Sequence, residues 1–170
     1  MSTDTESATA PSTQYPQGNV IHHPAGSGPT IWFGDAIYTF KATAENTNGV
    51  LTLAEASVPP GSGPPPHIHP HADEGFIILG GEIEFLNGTT TFIAEEGSFV
   101  YVPRGTRHRF RNVGLHVARL IFFFTTAGME GFFNELGVPA RKGEAPTPFS
   151  DADRRRIVEV APKYNLKLAP

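Results

Sequence analysis

Cysteine is absent from the 170 residues. That excludes disulfides and thiolate metal sites, so any bound metal must rest on imidazole and carboxylate ligands. Charge is also sparse, at 18% of residues with a formal net charge of −4. The one basic run, Arg154, Arg155 and Arg156, fits the solvated face of a short helix and supplies no nucleic-acid-binding stripe. Long apolar runs are lacking, which excludes a membrane-spanning helix from the sequence as read. Acidic Asp4 and Glu6 stand where a secretory signal would be basic, so a cytoplasmic location is the expectation.

What the chain has in abundance is punctuation. Its 18 glycines and 16 prolines favour many short strands over a few long helices. A hydrophobic content of 39% supports one compact domain. Residues 1–18, rich in Ser, Thr, Gln and Pro without apolar periodicity, are expected to form a flexible tail. Residues 19–170 then make one domain, with a barrel over about residues 30–126 and a helical extension over about 127–170.

Residues 30–40 and 50–58 read as strands, with Asn48-Gly49 as the turn between them and Pro59 and Pro60 ending the second. Residues 75–92 contain a hairpin signal at Asn87-Gly88. Further strands are expected at 99–102, 108–113 and 117–125, separated by Pro103, Gly105 and Gly114. The expectation is an all-β antiparallel barrel or jelly roll. Beyond it, Met129, Phe132, Phe133 and Leu136 at helical spacing predict a short helix outside the barrel, stopped near Gly137. A second helix should start at Ser150, paired with Asp153 in a capping box, and break near Pro162.

Two segments carry the chemistry. Gly61, His67, His69, Glu74 and Gly81 follow the spacing G-x5-H-x-H-x4-E-x6-G. Gly97, Pro103, Gly105, His108 and Asn112 follow G-x5-P-x-G-x2-H-x3-N. Ten residue types at fixed spacings recur by chance with a probability on the order of 10⁻¹¹ per starting point. On an extended strand His67 and His69 point the same way, and Pro70 favours that geometry at His69. Glu74 would share a face with Phe76 and Ile78, and His108 with Phe110. Three imidazoles and a carboxylate suit Fe, Mn, Ni, Co, Cu or Zn over Ca or Mg. His22, His23, His71 and His116 stay outside this set, and Asn112 reads as a strand-end residue. Candidates for an apolar pocket are Phe76, Ile78, Phe110 and one face of strand 119–125, either Leu120, Phe122 and Phe124 or Ile121 and Phe123.

The two segments resemble the paired motifs of the cupins, and residues 30–139 resemble single-domain bacterial cupins related to quercetin dioxygenase. The resemblance implies a cupin barrel and one divalent transition metal held by His67, His69, Glu74 and His108. It also implies a dioxygenase that takes dioxygen and a flavonol or similar enol-containing small molecule. Glu74 would serve as ligand and as catalytic base, its pKa raised by an apolar wall. Alternatives are non-oxidative isomerase, cyclase or lyase chemistry on a polyketide-like or sugar-derived substrate, and a non-catalytic small-molecule binder. The same resemblance implies a homodimer joined through the strand at residues 31–40.

Overall fold

In the computed structural model residues 20–169 are described, and the expected N-terminal tail at 1–18 lies outside them. Twelve strands among the described residues form two antiparallel sheets. The larger contains β1 (Thr30–Phe33), β2 (Ala36–Ala42), β3 (Thr52–Val58), β5 (Asp73–Gly80), β8 (Phe99–Val102), β10 (Ala118–Thr125) and β11 (Val138–Pro139). The smaller contains β4 (His67–Ile68), β6 (Ile83–Asn87), β7 (Thr90–Ala94), β9 (His108–Asn112) and β12 (Lys167–Leu168). Their spatial orders are β11-β1-β2-β3-β10-β5-β8 and β12-β4-β9-β6-β7.

Alternation along the strands explains why the sheets face each other. In β3 the side chains of Thr52, Ala54, Ala56 and Val58 are buried, and in β10 those of Ala118, Leu120, Phe122 and Phe124. The two strands pair in register, Phe122 opposite Ala54 and Leu120 opposite Ala56, so large inward residues meet small ones. The open choice in β10 is thereby decided: Leu120, Phe122 and Phe124 point inward. Asn112 ends β9 fully buried, its side-chain amide donating to the carbonyls of Val58 and His116 at 2.8 Å each. Its Oδ1 accepts from the Gly114 N–H at 2.9 Å. One side chain thus ties three chain segments together at the strand end the sequence assigned to it.

Three local expectations change. Residues 30–40 are two strands folded back at Gly34-Asp35, with Gly34 at φ 61°. A side chain at Gly34 would also meet the Phe149 ring at 2.8 Å, so glycine serves both the turn and close packing there. The aromatic and β-branched residues on either side hid this turn. Asn48 does not close a hairpin but ends one helical turn, α1 (Ala44–Thr47), in the left-handed region at φ 53°. The β6–β7 turn is shifted by one residue, since Asn87 pairs with Thr90 and leaves Gly88 and Thr89 at the tip.

The helix α2 (Met129–Leu136) has its predicted bounds but a different place. Met129, Phe132 and Phe133 are buried in the core, so the helix caps one end of the barrel instead of lying on its outside. Glu130 holds it there, accepting from the backbone of Ala44 at 2.6 Å and Gly128 at 2.9 Å and from the Thr52 hydroxyl. Helix α3 (Asp151–Val160) begins with the expected Ser150–Asp153 capping box and passes at Pro162 into a 3₁₀ turn, Ala161–Tyr164. The chain then returns as β12 to pair with β4. The outer edge of β1, where a partner's sheet was expected to join, is covered at Ile31 and Trp32 by β11 of the same chain. No helix among the described residues is long and apolar enough to cross a membrane.

Candidate metal centre

His67 lies on β4 and pairs in register with His108 on β9. Glu74 reaches the same point from β5 in the facing sheet, and His69 from the turn just after β4. The four side chains are buried, and one ligand atom from each lies within 4.8 Å of all the others. Glu74 Oε2 is 2.8 Å from His108 Nε2 and 3.4 Å from His69 Nε2. The Nδ1 atoms of His67 and His108 donate to the carbonyls of Pro65 at 3.0 Å and Thr106 at 2.9 Å. A carbonyl can only accept, so both rings carry a proton on Nδ1 and turn Nε2 toward the cluster, where that of His108 donates to Glu74 while no metal is bound. His69 Nε2 is buried without a hydrogen-bond partner. An orphaned imidazole nitrogen aimed at a carboxylate and flanked by two more imidazoles fits a transition-metal ion.

The electrostatics agree with a site built for a cation. Burial pushes the Glu74 pKa up, but the hydrogen bond with His108 and the charge of His69 and His108 beside it outweigh burial and hold it at about 2. The raised value expected from an apolar wall is therefore reversed, because the histidines outweigh burial. Burial and then the charge of His108 lower His67 to about 3. Burial lowers His108 as well, but the hydrogen bond and charge of Glu74 leave it raised.

A pH dependence follows. His67 is neutral in the fold, so below its ordinary value of 6.5 the unfolded chain takes the proton and gains stability over the folded one down to about 3. Glu74 adds to the loss from its ordinary 4.5 down to about 2. The contribution of His108 is constant below 6.5, because a raised pKa adds stability that is lost only on the alkaline side. The metal-free protein should lose thermal stability steadily as pH falls from 6.5. Melting midpoints of chelator-treated protein across pH 4–7 test this, and a flat profile would contradict it.

His67, His69 and Glu74 help to line a cavity of about 490 Å³, with His108 not among its lining residues. Of the predicted pocket residues, Phe110, Phe122 and Phe124 line it. Phe76 and Ile78 do not: they are 0% and 1% exposed, in the core, with Phe76 packed on Phe85 and Phe110 at 5.0 and 5.6 Å between ring centres. Lining residues that the sequence reading did not assign to the pocket include Phe33 and Tyr38 on the first hairpin, Phe132 and Phe133 on α2, and Phe149, Arg154 and Leu168 from the C-terminal extension. Tyr38 is packed among Phe33, Phe122 and Phe133. Burial, then the charges of Glu74 and Asp35, push its pKa up, so its hydroxyl keeps its proton. His22, His71 and His116 are exposed and His23 half-exposed, all outside the cluster.

Residues 54–124, which hold all four side chains, match the cupin domain family. The chain contains a cupin domain. Two curated relatives are similar over that domain. Quercetin 2,3-dioxygenase of Bacillus subtilis (strain 168) is 27% identical over 128 residues, 75% of this chain and 38% of the relative. The polyketide synthase CurC of Streptomyces cyaneus is 34% identical over 80 residues, 47% of this chain and 51% of the relative. The chain thus spans between about two fifths and one half of these relatives. A solved structure described as a predicted oxalate decarboxylase from Thermotoga maritima superposes with a TM-score of 0.57 at 18% identity, covering 64% of this chain and 99% of that one. That likeness shows the shared fold, and the cupin domain here keeps a buried set of side chains that could hold a metal.

Proposed function

We propose that this cupin is a metal-dependent dioxygenase of the quercetinase type, acting on a flavonol or similar enol-containing aromatic molecule. The observation that carries the reading is the three-histidine, one-carboxylate cluster opening onto an aromatic-walled cavity. The similarity to quercetin 2,3-dioxygenase supports it. A divalent transition ion held by His67, His69, Glu74 and His108 would supply a Lewis-acidic, redox-capable centre.

The chain's own residues would do the rest. Phe122, Phe124 and Phe133 present ring faces and edges that hold a flat aromatic and keep water away. Tyr38, with its proton retained, is placed to donate to a substrate oxygen. Glu74 would accept the substrate hydroxyl proton at Oε1, since Oε2 is the atom engaged by His69 and His108.

Dissolved oxygen should fall when quercetin meets protein reconstituted with the working ion among Fe, Mn, Ni, Co, Cu or Zn, with release of carbon monoxide. Glu74→Gln protein that retains its metal should turn over at least about a hundredfold more slowly, the lower range for loss of a general base. Full turnover by that variant would sink the role of Glu74. The similarity to CurC favours a second reading, non-oxidative isomerisation, cyclisation or bond cleavage on a polyketide-like substrate. Turnover under strict anaerobiosis would decide for it.

A further inference from the structure

Two of the three imidazoles are held from behind and the third is not. His67 and His108 each donate Nδ1 to a carbonyl two residues upstream. His69, only 5% exposed and with Nε2 turned toward Glu74, makes no side-chain hydrogen bond through Nδ1 among the described residues. An imidazole that holds a metal nearly always gives its second N–H to an acceptor, which sets the tautomer and raises its strength as a ligand. For His69 none of the described residues supplies that acceptor.

His69 is also the wall between two cavities. One is the aromatic pocket. The other, of about 190 Å³, is lined by His69, His71, Thr126, Lys163, Tyr164 and Asn165 among others. It offers an ammonium, hydroxyls, an amide and imidazoles, and no carboxylate lines it. Glu135, which pairs with Lys163 at 2.6 Å and accepts from Tyr164 at 2.7 Å, is not among the lining residues. Lys163 is 64% exposed and Glu135 half-buried, so water screens the pair and it holds the ammonium weakly. The volume is about six times one water's share of the liquid, enough for a small anion with a water or two.

We propose that this second cavity binds a small oxyanion, of the size of acetate or bicarbonate, whose oxygen accepts the Nδ1–H of His69 and whose charge is met by Lys163. The anion would then act on the metal centre from behind, strengthening His69 as a ligand without entering the aromatic pocket. The inference rests on the metal-centre reading. It goes beyond it by assigning a second ligand to a separate cavity.

The test uses the full chain, ¹⁵N-labelled and loaded with zinc, with zinc content measured first. Acetate is titrated while the Nδ1–H signals of the three imidazoles are followed by NMR. The expected result is a saturable downfield movement of His69 Nδ1–H with His67 and His108 unmoved, and about tenfold weaker acetate binding in Lys163→Gln, as for one lost charge-assisted hydrogen bond. Lys163 is exposed, so this variant should fold normally. A zinc-loaded protein whose His69 signal ignores acetate would overturn the proposal. So would a common shift of all three signals, which would put the anion on the ion, or unaltered affinity in Lys163→Gln. Failure to take up zinc would instead remove the metal centre itself, and this inference with it.

Discussion

Replacing His108 by alanine should abolish metal binding and cost the fold several kcal/mol. His108 is 1% exposed and its Nε2 is 2.8 Å from Glu74 Oε2. Without it the buried Glu74 carboxylate keeps only the more distant His69, and removing one partner of a buried pair costs about 3–5 kcal/mol. Losing a group that merely orients a ligand lowers metal affinity about 10–100-fold, so losing a ligand should exceed that. The discriminating readout is the response to chelator. Metal at about a hundred times its dissociation constant adds about 2.7 kcal/mol of stability. For a chain of this size that raises Tm by about 5–10 °C. Calorimetry should show that increment in the wild-type protein and none in His108→Ala. A variant that melts lower but keeps the full chelator response would show that His108 is structural and not a ligand.

The same residue shows what the sequence could convey. His67, His69, Glu74 and His108 were legible because a ligand set needs particular side chains at particular spacings along short strands, and spacing is a local property. The bounds of β8 and α2 were legible for the same reason, turn residues and periodicity being local too. Depth inside the barrel is not local. The period of two put Phe76 and Ile78 on an inward face, correctly, and left Phe122 and Phe124 as one of two choices for β10. Whether an inward ring meets the cavity or the packed end depends on its neighbours across the sheets. Phe122 lies against Tyr38 and reaches the cavity, while Phe76, its registered partner, lies against Phe85 and is sealed.

Two further misreadings have one origin. The periodicity of α2 showed an apolar face without showing what would cover it, and the barrel end with Tyr38 and Phe122 turned out to be the partner. The direction of the Glu74 shift turned on a hydrogen bond to His108, 34 positions away in the chain. An apolar neighbourhood in sequence argued for a raised pKa, and a long-range contact outweighed it.

The C-terminal return is the part of the site least visible in the motifs, and ending the chain after Asn165 should expose its role. β4 is two residues long, and on the β9 side only His67 and His108 are paired in register. Its other edge is held by β12, with Leu168 opposite His67 and Lys167 opposite Ile68. The Ala169 N–H donates to the Pro66 carbonyl at 2.9 Å, and the Ala169 carbonyl accepts from Arg107 Nε at 2.8 Å. Truncation removes all of these along with Leu166, which is 6% exposed in the core. The strand that carries His67 and delivers His69 would then hang from one side. Loss of a buried leucine alone costs about 2–5 kcal/mol. Loss of the support behind two ligands should weaken metal binding about 10–100-fold, as for other groups that orient a ligand. Zinc affinity measured against a competing chelator, with circular dichroism confirming that the sheets persist, separates the two effects. A truncated protein with intact sheets and unaltered zinc affinity would mean that the β4–β9 pairing suffices to aim the histidines. A drop in affinity at preserved sheet content would make the C-terminal strand a working part of the metal centre, joined to it through backbone hydrogen bonds and contributing no ligand of its own.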